Sequence, residues 1–435
     1  MSEELAAKGG PRAVPDGMVR AWPPITEEDR RAILEVLDSG HLHGASAPQV
    51  LALQEEWAEY CGAKHCLVTN SGTSALHMAL AAAGVQPGDE VIVPAYTYWA
   101  TAAAVLHHNA IPVFVDIEPE TFCLDPDLIE DKLTANTKAL LPVHVHGMPA
   151  DMEAINAIAS RHSMAVIEDA AQAHGATYKG RKVGSLAHGA GFSLNRSKNL
   201  TSGEGGLYTT DDDGAYEYAM MMREFGEVIV PGKEREYNAY ALGWMYRPVE
   251  FCNAMARSQL RRLDEYNAQR REMASYLDEA LGSIAGCAPV ASRPDREQVY
   301  WTYVFRLAPE ELGLDCPPAA FRDAVEGALL AEGVPVWQWQ KMPVPAQDVF
   351  QSREGYGRGC PWTCRFGRKV DYRAEDYPRT LQFLETHLCL RGVWPPNNLE
   401  LMKHFVKGFE KVMAQAPDLI GLTQGRAGVR PVKSA

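Results

Sequence analysis

The stretch 190-AGFSLNRSKNLTSGEGG-206 places a single lysine, Lys198, between two apolar segments. Residues 189–194 and 207–211 are typical of short buried strands, and a glycine-rich turn joins them. A lysine held between two buried strands is costly unless its amine is paired or used. Taken alone, Lys198 is most simply interpreted as a lysine on a surface loop. The segments around it are needed to distinguish a surface lysine from a functional one.

Segments upstream of this stretch supply chemistry that such a lysine can use. A predicted strand ends in Asp169, the turn 71-SGTS-74 opens a helix, and the loop 94-PAYTYWAT-101 is rich in aromatic side chains. Pyridoxal phosphate (PLP) requires an amine to form a Schiff base, an anion beside its ring nitrogen, a cradle for its phosphate and a flat surface for its ring. These segments together offer each of these parts, which favours a cofactor lysine at Lys198.

Strands and helices alternate through the first half of the chain. The predicted strands are 66–69, 90–94, 111–116, 137–145 and 165–169, and the predicted helices between them are 75–83, 100–107 and 151–161. Continuous apolar strands separated by helices indicate a parallel sheet covered on both faces. Ligands of such sheets bind at the carboxyl ends of the strands, which is where the segments described above lie.

Further helices are expected at 26–39, 49–60, 215–225 and 250–281. The long helix at 250–281 leads into a second, smaller domain with a strand at 299–306 and helices at 318–332 and 399–414. Residues 340–380 show no regular pattern, which is typical of a functional lid or an extended loop. We therefore expect a flexible N-terminal arm, a large cofactor-binding domain, a small C-terminal domain and a flexible tail, at residues 1–20, 21–275, 276–418 and 419–435.

Composition and charge exclude several classes of protein. The 435 residues are 46% hydrophobic and 23% charged, and the net charge of −14 disfavours non-specific binding to nucleic acid or to an anionic membrane. No apolar run is long enough for a membrane span, and the polar N-terminus lacks a signal-peptide core. Nine dispersed cysteines are typical of reduced thiols in the cytoplasm, and their spacing predicts no metal site.

Four segments in order carry a family resemblance: 71-SGTSAL-76, 94-PAYTYWAT-101, 168-EDAAQAHGA-176 and 192-FSLNRSKNLTSGEGG-206. They resemble the DegT/DnrJ/StrS family of PLP-dependent sugar aminotransferases, and the resemblance extends over roughly Trp22 to Ala414. It implies the aspartate-aminotransferase-like fold (fold type I), an α/β fold with a mostly parallel central sheet and a smaller C-terminal α+β domain. It also implies a homodimer that moves an amino group from glutamate or glutamine to a keto group of a sugar, cyclitol or related polyol in biosynthesis.

Chemistry and resemblance together assign the site. Lys198 is the catalytic lysine, which binds PLP and moves the proton during transamination. Asp169 pairs with the ring nitrogen, although a helix N-cap is an alternative role for this carboxylate. The helix start at Gly72, Thr73 and Ser74 is suited to the phosphate, because free N–H groups and the helix dipole favour an anion. The resemblance implies ring contacts for Tyr98 and Gln172 and a phosphate contact for Ser193.

Two departures from the family pattern leave questions open. The family commonly has an asparagine that reaches the phosphate of the partner subunit, but residues 243–248 read GWMYRP and place Met245 there. Residues 337–345 also differ from the family's small-domain motif, which weakens the expectation of a nucleotide-linked substrate. The alternatives are a PLP-dependent deoxysugar dehydratase, whose family members tend to replace the lysine with histidine, and a non-catalytic regulatory protein. A nicotinamide-dependent dehydrogenase is disfavoured because the GxGxxG fingerprint is incomplete.

Overall fold

The computed structural model describes residues 3–42, 44–229, 233–290 and 293–419. Its strands are β1 (His65–Thr69), β2 (Glu90–Pro94), β3 (Ile111–Val115), β4 (Thr137–Leu140), β5 (Ala165–Asp169), β6 (Thr177–Tyr178), β7 (Arg181–Lys182), β8 (Gly189–Ser193), β9 (Gly206–Thr210), β10 (Cys287–Pro289), β11 (Arg296–Glu297), β12 (Tyr303–Leu307), β13 (Val336–Trp337) and β14 (His387–Leu390). Its α-helices are α1 (Glu27–Ser39), α2 (Pro48–Cys61), α3 (Gly72–Ala82), α4 (Ala100–Leu106), α5 (Met152–Arg161), α6 (Asp213–Arg223), α7 (Glu250–Leu260), α8 (Leu263–Gly282), α9 (Pro318–Ala331), α10 (Asp348–Ser352), α11 (Pro378–Thr386) and α12 (Leu399–Met413).

A central sheet of seven strands forms the large domain, in the order β1-β9-β8-β5-β4-β2-β3. Among these strands β9 alone runs antiparallel to its neighbours, β1 and β8. The remaining pairs are parallel, which confirms the predicted mostly parallel α/β sheet. Strand β4 ends at Leu140, earlier than the predicted residue 145. Beyond it Val143 forms an isolated bridge with Asp169, and the chain then turns at residues 145–147 with His146 at a φ of 56°.

Helices cover both faces of this sheet, as buried parallel strands require. On one face the core includes the fully buried side chains of Trp57, Phe192 and Val166. On the other face, helices α3, α4 and α6 pack together, and Leu76 and Val105 are buried between them and the strands. None of the helices in the described residues is both long and apolar enough to cross a membrane.

The small domain is built on the antiparallel sheet β10-β12-β14-β13, against which α8, α9 and α12 pack. Its core contains the fully buried rings of Phe305, Phe321 and Phe409. The prediction of a single long helix at 250–281 is wrong. The segment forms two helices, α7 and α8, with a break at Arg261–Arg262. Arg262 at this break binds the buried carboxylate of Asp29 in α1 at 2.8 Å, so a tertiary contact fixes the break.

Residues 340–380 cover the edge of the large sheet rather than the cavity described below. The rings of Phe350 and Tyr372 pack on Phe114 of the edge strand β3, with centroid distances of 5.1 and 5.7 Å. The Tyr372 hydroxyl also donates to the carbonyl of Pro112 at 3.0 Å. Covering an edge strand prevents unwanted pairing with other chains, so the structure shows an edge cover where the sequence predicted a lid or an extended loop.

The N-terminal residues pack against the small domain, which differs from the flexible arm expected at residues 1–20. Leu5 and Val14 are each only 1% exposed. The buried carboxylate of Glu332 accepts hydrogen bonds from the backbone N–H groups of Ala6 (2.7 Å) and Ala13 (3.0 Å). It also pairs with the Lys411 ammonium at 2.9 Å. The flexible tail expected at 419–435 lies outside the described residues from 420 onward.

Replacing Glu332 with alanine is expected to destabilise the small domain and release residues 3–20. The change leaves the Lys411 ammonium buried without its partner, which costs about 3–5 kcal/mol. We expect a lower midpoint of denaturant unfolding and faster trypsin cleavage after Arg12. The exposed helical Glu35→Ala is the matched control and should change neither. An E332A protein with the unfolding midpoint and cleavage rate of the wild type would show that Glu332 does not hold this segment.

Candidate active site

A cavity of about 420 Å³ lies where the carboxyl ends of β5 and β8 meet the start of α3 and the loop after β2. Its volume is in the range of small-molecule sites, about 300–1,000 Å³. Most of the predicted site residues line it: Gly72, Thr73, Tyr98, Asp169, Gln172, Ser193 and Lys198. The structure therefore brings together residues that are far apart in the sequence, such as Gly72 and Lys198, which are 126 positions apart.

The loop that carries Lys198 is held in place by its backbone. The Lys198 N–H donates to the carbonyl of Asn195 at 2.9 Å. Two tryptophans donate to this loop from other parts of the chain: Trp22 to the carbonyl of Lys198 at 3.1 Å, and Trp301 to the carbonyl of Ser197 at 2.8 Å. The Lys198 amino nitrogen lies 4.6 Å from the centre of the Trp301 ring. The amine is thus positioned at the cavity wall by groups from three separate segments.

The environment of Lys198 favours a neutral amine. The residue as a whole is half-buried, but desolvation of its amino group lowers its pKa from 10.5 to about 8. The negative charges of Asp169 and Glu204 raise this pKa and so oppose part of the shift. A neutral amine is the nucleophilic form, so a pKa near 8 makes Lys198 reactive under mild conditions.

Asp169 ends β5 with its side chain only 5% exposed. It accepts hydrogen bonds from the Thr101 hydroxyl (2.7 Å) and from the Ala171 N–H (3.1 Å). Burial raises the pKa of the Asp169 carboxyl, and these hydrogen bonds together with Lys198 oppose the shift. The alternative N-cap role is not supported, because residues 170–176 form turns rather than a helix. The carboxylate is thus available to pair with a cation in the cavity.

Gln172 reaches the cavity from one of these turns. Its side-chain oxygen accepts the N–H of His146 at 2.7 Å, which fixes the orientation of the amide. The side-chain nitrogen is the remaining donor of Gln172. The residue lies three positions after Asp169 in the sequence and beside it in the cavity lining.

The start of α3 forms a cradle beside strand β8. The Ser71 hydroxyl caps the helix by accepting the Ser74 N–H at 3.1 Å. A Cβ atom at Gly72 would lie 2.7 Å from the Cβ of Ser193, so only glycine permits this close approach. The first N–H groups of a helix have no partner within the helix and favour an anion. Ser74, predicted as a cofactor ligand, faces Asn70 and Ser71 and does not line the cavity.

Aromatic side chains complete the cavity, and two of them were missed in the sequence. Tyr98 lines the cavity as predicted and is 54% exposed. Trp301 and Trp339 come from the small domain, and their ring centroids are 5.3 Å apart. His146 packs on Trp339 at 5.0 Å. The aromatic stretch at 299–306 draws attention to Trp301. Its local sequence pattern, however, does not show that Trp301 lies near Lys198.

The cavity thus offers the set of groups that PLP requires. It contains a reactive amine, a buried carboxylate, a helix N-terminus and an aromatic surface, all within one enclosure of suitable volume. When bound, PLP would supply an electron sink that stabilises negative charge developing on the substrate carbon that bears the amino group. Together with the mostly parallel sheet and the smaller second domain, this site defines the class of fold type I PLP enzymes.

Comparison with known proteins gives the family. The DegT/DnrJ/EryC1/StrS aminotransferase family matches residues 23–370, and the chain belongs to this family. The prediction of an aminotransferase with PLP as its cofactor is confirmed at this level. The predicted aspartate-aminotransferase-like fold is confirmed as well.

Curated relatives and solved structures match over most of the chain. The L-glutamine:2-deoxy-scyllo-inosose aminotransferase of Streptomyces fradiae is 35% identical and covers 96% of this chain and 100% of its own. The GDP-perosamine synthase of Caulobacter vibrioides is 39% identical over 66% of this chain and 76% of its own. The structure of DesV from S. venezuelae has a TM-score of 0.78 at 30% identity and covers 93% of this chain and 99% of its own.

Replacing Gly72 with alanine is expected to weaken the binding of PLP. The added methyl group would force α3 away from Ser193, with an overpacking cost of about 1–3 kcal/mol. We expect an increase of about tenfold in the PLP dissociation constant of the apoenzyme, measured by fluorescence titration. Gly327→Ala in α9 is the matched control, because its Cβ meets nothing within 4 Å. Unchanged PLP affinity in G72A would argue against this helix start as the phosphate cradle.

The attachment of PLP to the apoenzyme is expected to depend on pH with a midpoint near 8. Burial lowers the pKa of Lys198 to about 8, so the neutral amine dominates above that pH and disappears below it. The rate of covalent PLP incorporation, followed by absorbance, should rise through pH 8 and level off well before pH 10. A rate that keeps rising up to pH 10.5 would indicate an unperturbed lysine.

Proposed function

We propose that this protein transfers the amino group of L-glutamine or L-glutamate to a keto group of a cyclitol, sugar or related polyol in a biosynthetic pathway. The observation that carries this proposal is the cavity in which Lys198, with a pKa near 8, faces the buried carboxylate of Asp169. Support for the substrate class comes from full-length relatives named for glutamine and scyllo-inosose compounds, including the L-glutamine:scyllo-inosose aminotransferase of Streptomyces griseus at 34% identity.

In this proposal each group of cavity residues binds a different part of the cofactor. Lys198 binds PLP covalently, and Asp169 pairs with the ring nitrogen. Gly72, Thr73 and Ser193 hold the phosphate, with Ser74 as part of the capping structure behind them, and Tyr98 and Gln172 contact the ring. The arrangement is supported by the common cavity that all of these except Ser74 line.

Lys198 also has a role in proton transfer under this proposal. With PLP bound and the donor in place, the free amino nitrogen of Lys198 would be the group that accepts and returns the proton needed for the transfer. A pKa near 8 is suited to both steps, because the amine exchanges a proton readily close to neutral pH. The tryptophan contacts to the Lys198 loop keep the amine at one position while it carries the proton.

A homodimer is part of the proposal and is supported by exposed apolar side chains. Residues 225–249, apart from the undescribed 230–232, expose several large hydrophobic groups: Phe225, Val228, Tyr240, Leu242, Met245 and Val249. Exposed apolar patches of this kind are typical of interaction sites. Met245 carries no hydrogen-bond donor, so its side chain supplies no hydrogen bond to a partner's phosphate. We place the enzyme in the cytoplasm, since all nine cysteines are free thiols.

The test follows the visible absorbance of bound PLP. The purified protein should show the band of lysine-bound PLP, lose it on addition of L-glutamine or L-glutamate, and regain it on addition of scyllo-inosose. Lys198→Ala should abolish the band, whereas the exposed Lys132→Ala is the matched control and should keep it. A band that no donor removes, with loss of water from a deoxysugar substrate, would favour the dehydratase. The absence of any band after addition of PLP would refute the role of Lys198.

A further inference from the structure

A second cleft of about 580 Å³ adjoins the cofactor cavity. The two share Asn195, Ser197 and Trp301 as lining residues, so the Lys198 loop and the Trp301 ring form a common wall. The other walls come from the N-terminal segment and the small domain, through Trp22 and Trp394. This second cleft therefore offers a ligand contacts that the cofactor cavity does not have, from Trp22, Arg270, Trp337, Arg391 and Trp394.

The cleft is positively charged in a protein that is strongly acidic overall. Three arginines line it, Arg196, Arg270 and Arg391, and none of its lining residues in the described chain is acidic. The net charge of the protein is −14. A concentration of positive charge against this background attracts anions to the cleft and disfavours cations.

Arg270 is the strongest indication of a ligand. Its side chain is 1% exposed, yet its described contacts are to neutral groups. One guanidinium nitrogen donates to the carbonyls of Tyr300 (3.2 Å) and Val393 (3.3 Å), and its Nε has no hydrogen-bond partner among the described residues. The described residues place no charged group close enough to Arg270 to offset its burial, which lowers the pKa of Arg270 to about 9. An arginine buried in this way is costly unless an anion joins it.

Two cation–π contacts orient the arginines along the cleft. The Arg270 guanidinium carbon lies 4.4 Å from the centre of the Trp22 ring, and that of Arg391 lies 4.7 Å from the Trp337 ring. Stacking leaves the edge of a guanidinium free for the bidentate binding of a carboxylate or phosphate. Trp22 also donates to the carbonyl of Lys198, so the same ring that supports Arg270 supports the catalytic loop.

We propose that this cleft, bounded by Trp22, Arg270, Trp301 and Arg391, is a subsite for a carboxylate or phosphate group of a reactant whose other end reaches Lys198. The inference rests on the proposed function, which supplies the reactants. The anionic group has two possible sources: a carboxylate of the amino donor, or a phosphate carried by the keto acceptor. A neutral cyclitol acceptor would leave the donor as the source.

Two simple anions test the subsite on the holoenzyme, in which PLP already occupies its phosphate cradle. Glutarate resembles the donor but has no amino group to transfer, and inorganic pyrophosphate represents a phosphorylated acceptor. Calorimetric titration should show binding of at least one of them. Binding of glutarate alone assigns the subsite to the donor, and binding of pyrophosphate alone assigns it to the acceptor. Binding of both supports a general anion subsite, and binding of neither overturns the proposal.

Variants locate the binding in this cleft. Arg391→Gln should weaken anion binding about tenfold or more, because a hydrogen bond to a charged group is lost. Arg365→Gln is the matched control: this exposed arginine also stacks on an aromatic ring, that of Phe366, but lies outside the cleft. Arg270→Met should remove binding, with circular dichroism as the check on folding. If R270M does not fold, R391Q decides, and equal affinity in R391Q and R365Q refutes the location.

Half-reaction kinetics separate this inference from the proposed function. If the donor uses the subsite, R391Q should raise the glutamine concentration for half-maximal bleaching of the PLP band about tenfold, with the limiting rate nearly unchanged. If the acceptor uses it, the return of the band should show that shift instead. Bleaching by glutamine without any anion binding would refute the subsite and retain the aminotransferase. Anion binding by a holoenzyme whose PLP band no donor bleaches would retain the subsite and refute the aminotransferase.

Discussion

The close packing of helix α3 on strands β8 and β9 determines where the chemistry of this protein takes place. Glycines make it possible: a Cβ at Gly72 would lie 2.7 Å from Ser193, and one at Gly191 would lie 2.7 Å from Leu76. Because Gly72 and Gly191 let the helix approach the sheet closely, the free N–H groups of the helix start lie beside the loop that carries Lys198. Asp169 ends the neighbouring strand β5 and completes the same edge.

This arrangement places opposite charges in an environment that penalises both. Burial lowers the pKa of Lys198 and raises that of Asp169. The charged form of each group is therefore less stable here than in water. The two groups influence each other's pKa through their charges, but they form no direct ion pair among the described contacts. A ligand with a cationic ring nitrogen and an electrophilic carbon offsets both costs, since it supplies a partner for the carboxylate and a bond for the amine.

The sequence predicted the parts of the site that lie within one supersecondary unit and missed the parts that cross domains. Strand ends, the helix start at Gly72 and the loop of Lys198 follow from local patterns, and the structure places them together. Trp301 and Trp339 approach Lys198 only through the packing of the small domain, which no local pattern encodes. The helix expected at 250–281 breaks where Arg262 binds Asp29, so a tertiary contact overrides helix propensity there.

The cofactor cavity and the second cleft are formed mostly by different parts of the chain. The cofactor cavity is formed mostly by the large domain, whose spacing is fixed by the parallel sheet. The second cleft is formed by Trp22 of the N-terminal segment, by Arg270 and by residues of the small domain. Trp22 and Trp301 belong to the second cleft and also donate to the backbone of the Lys198 loop. The loop of Lys198 and the proposed anion subsite therefore share two structural supports, the rings of Trp22 and Trp301.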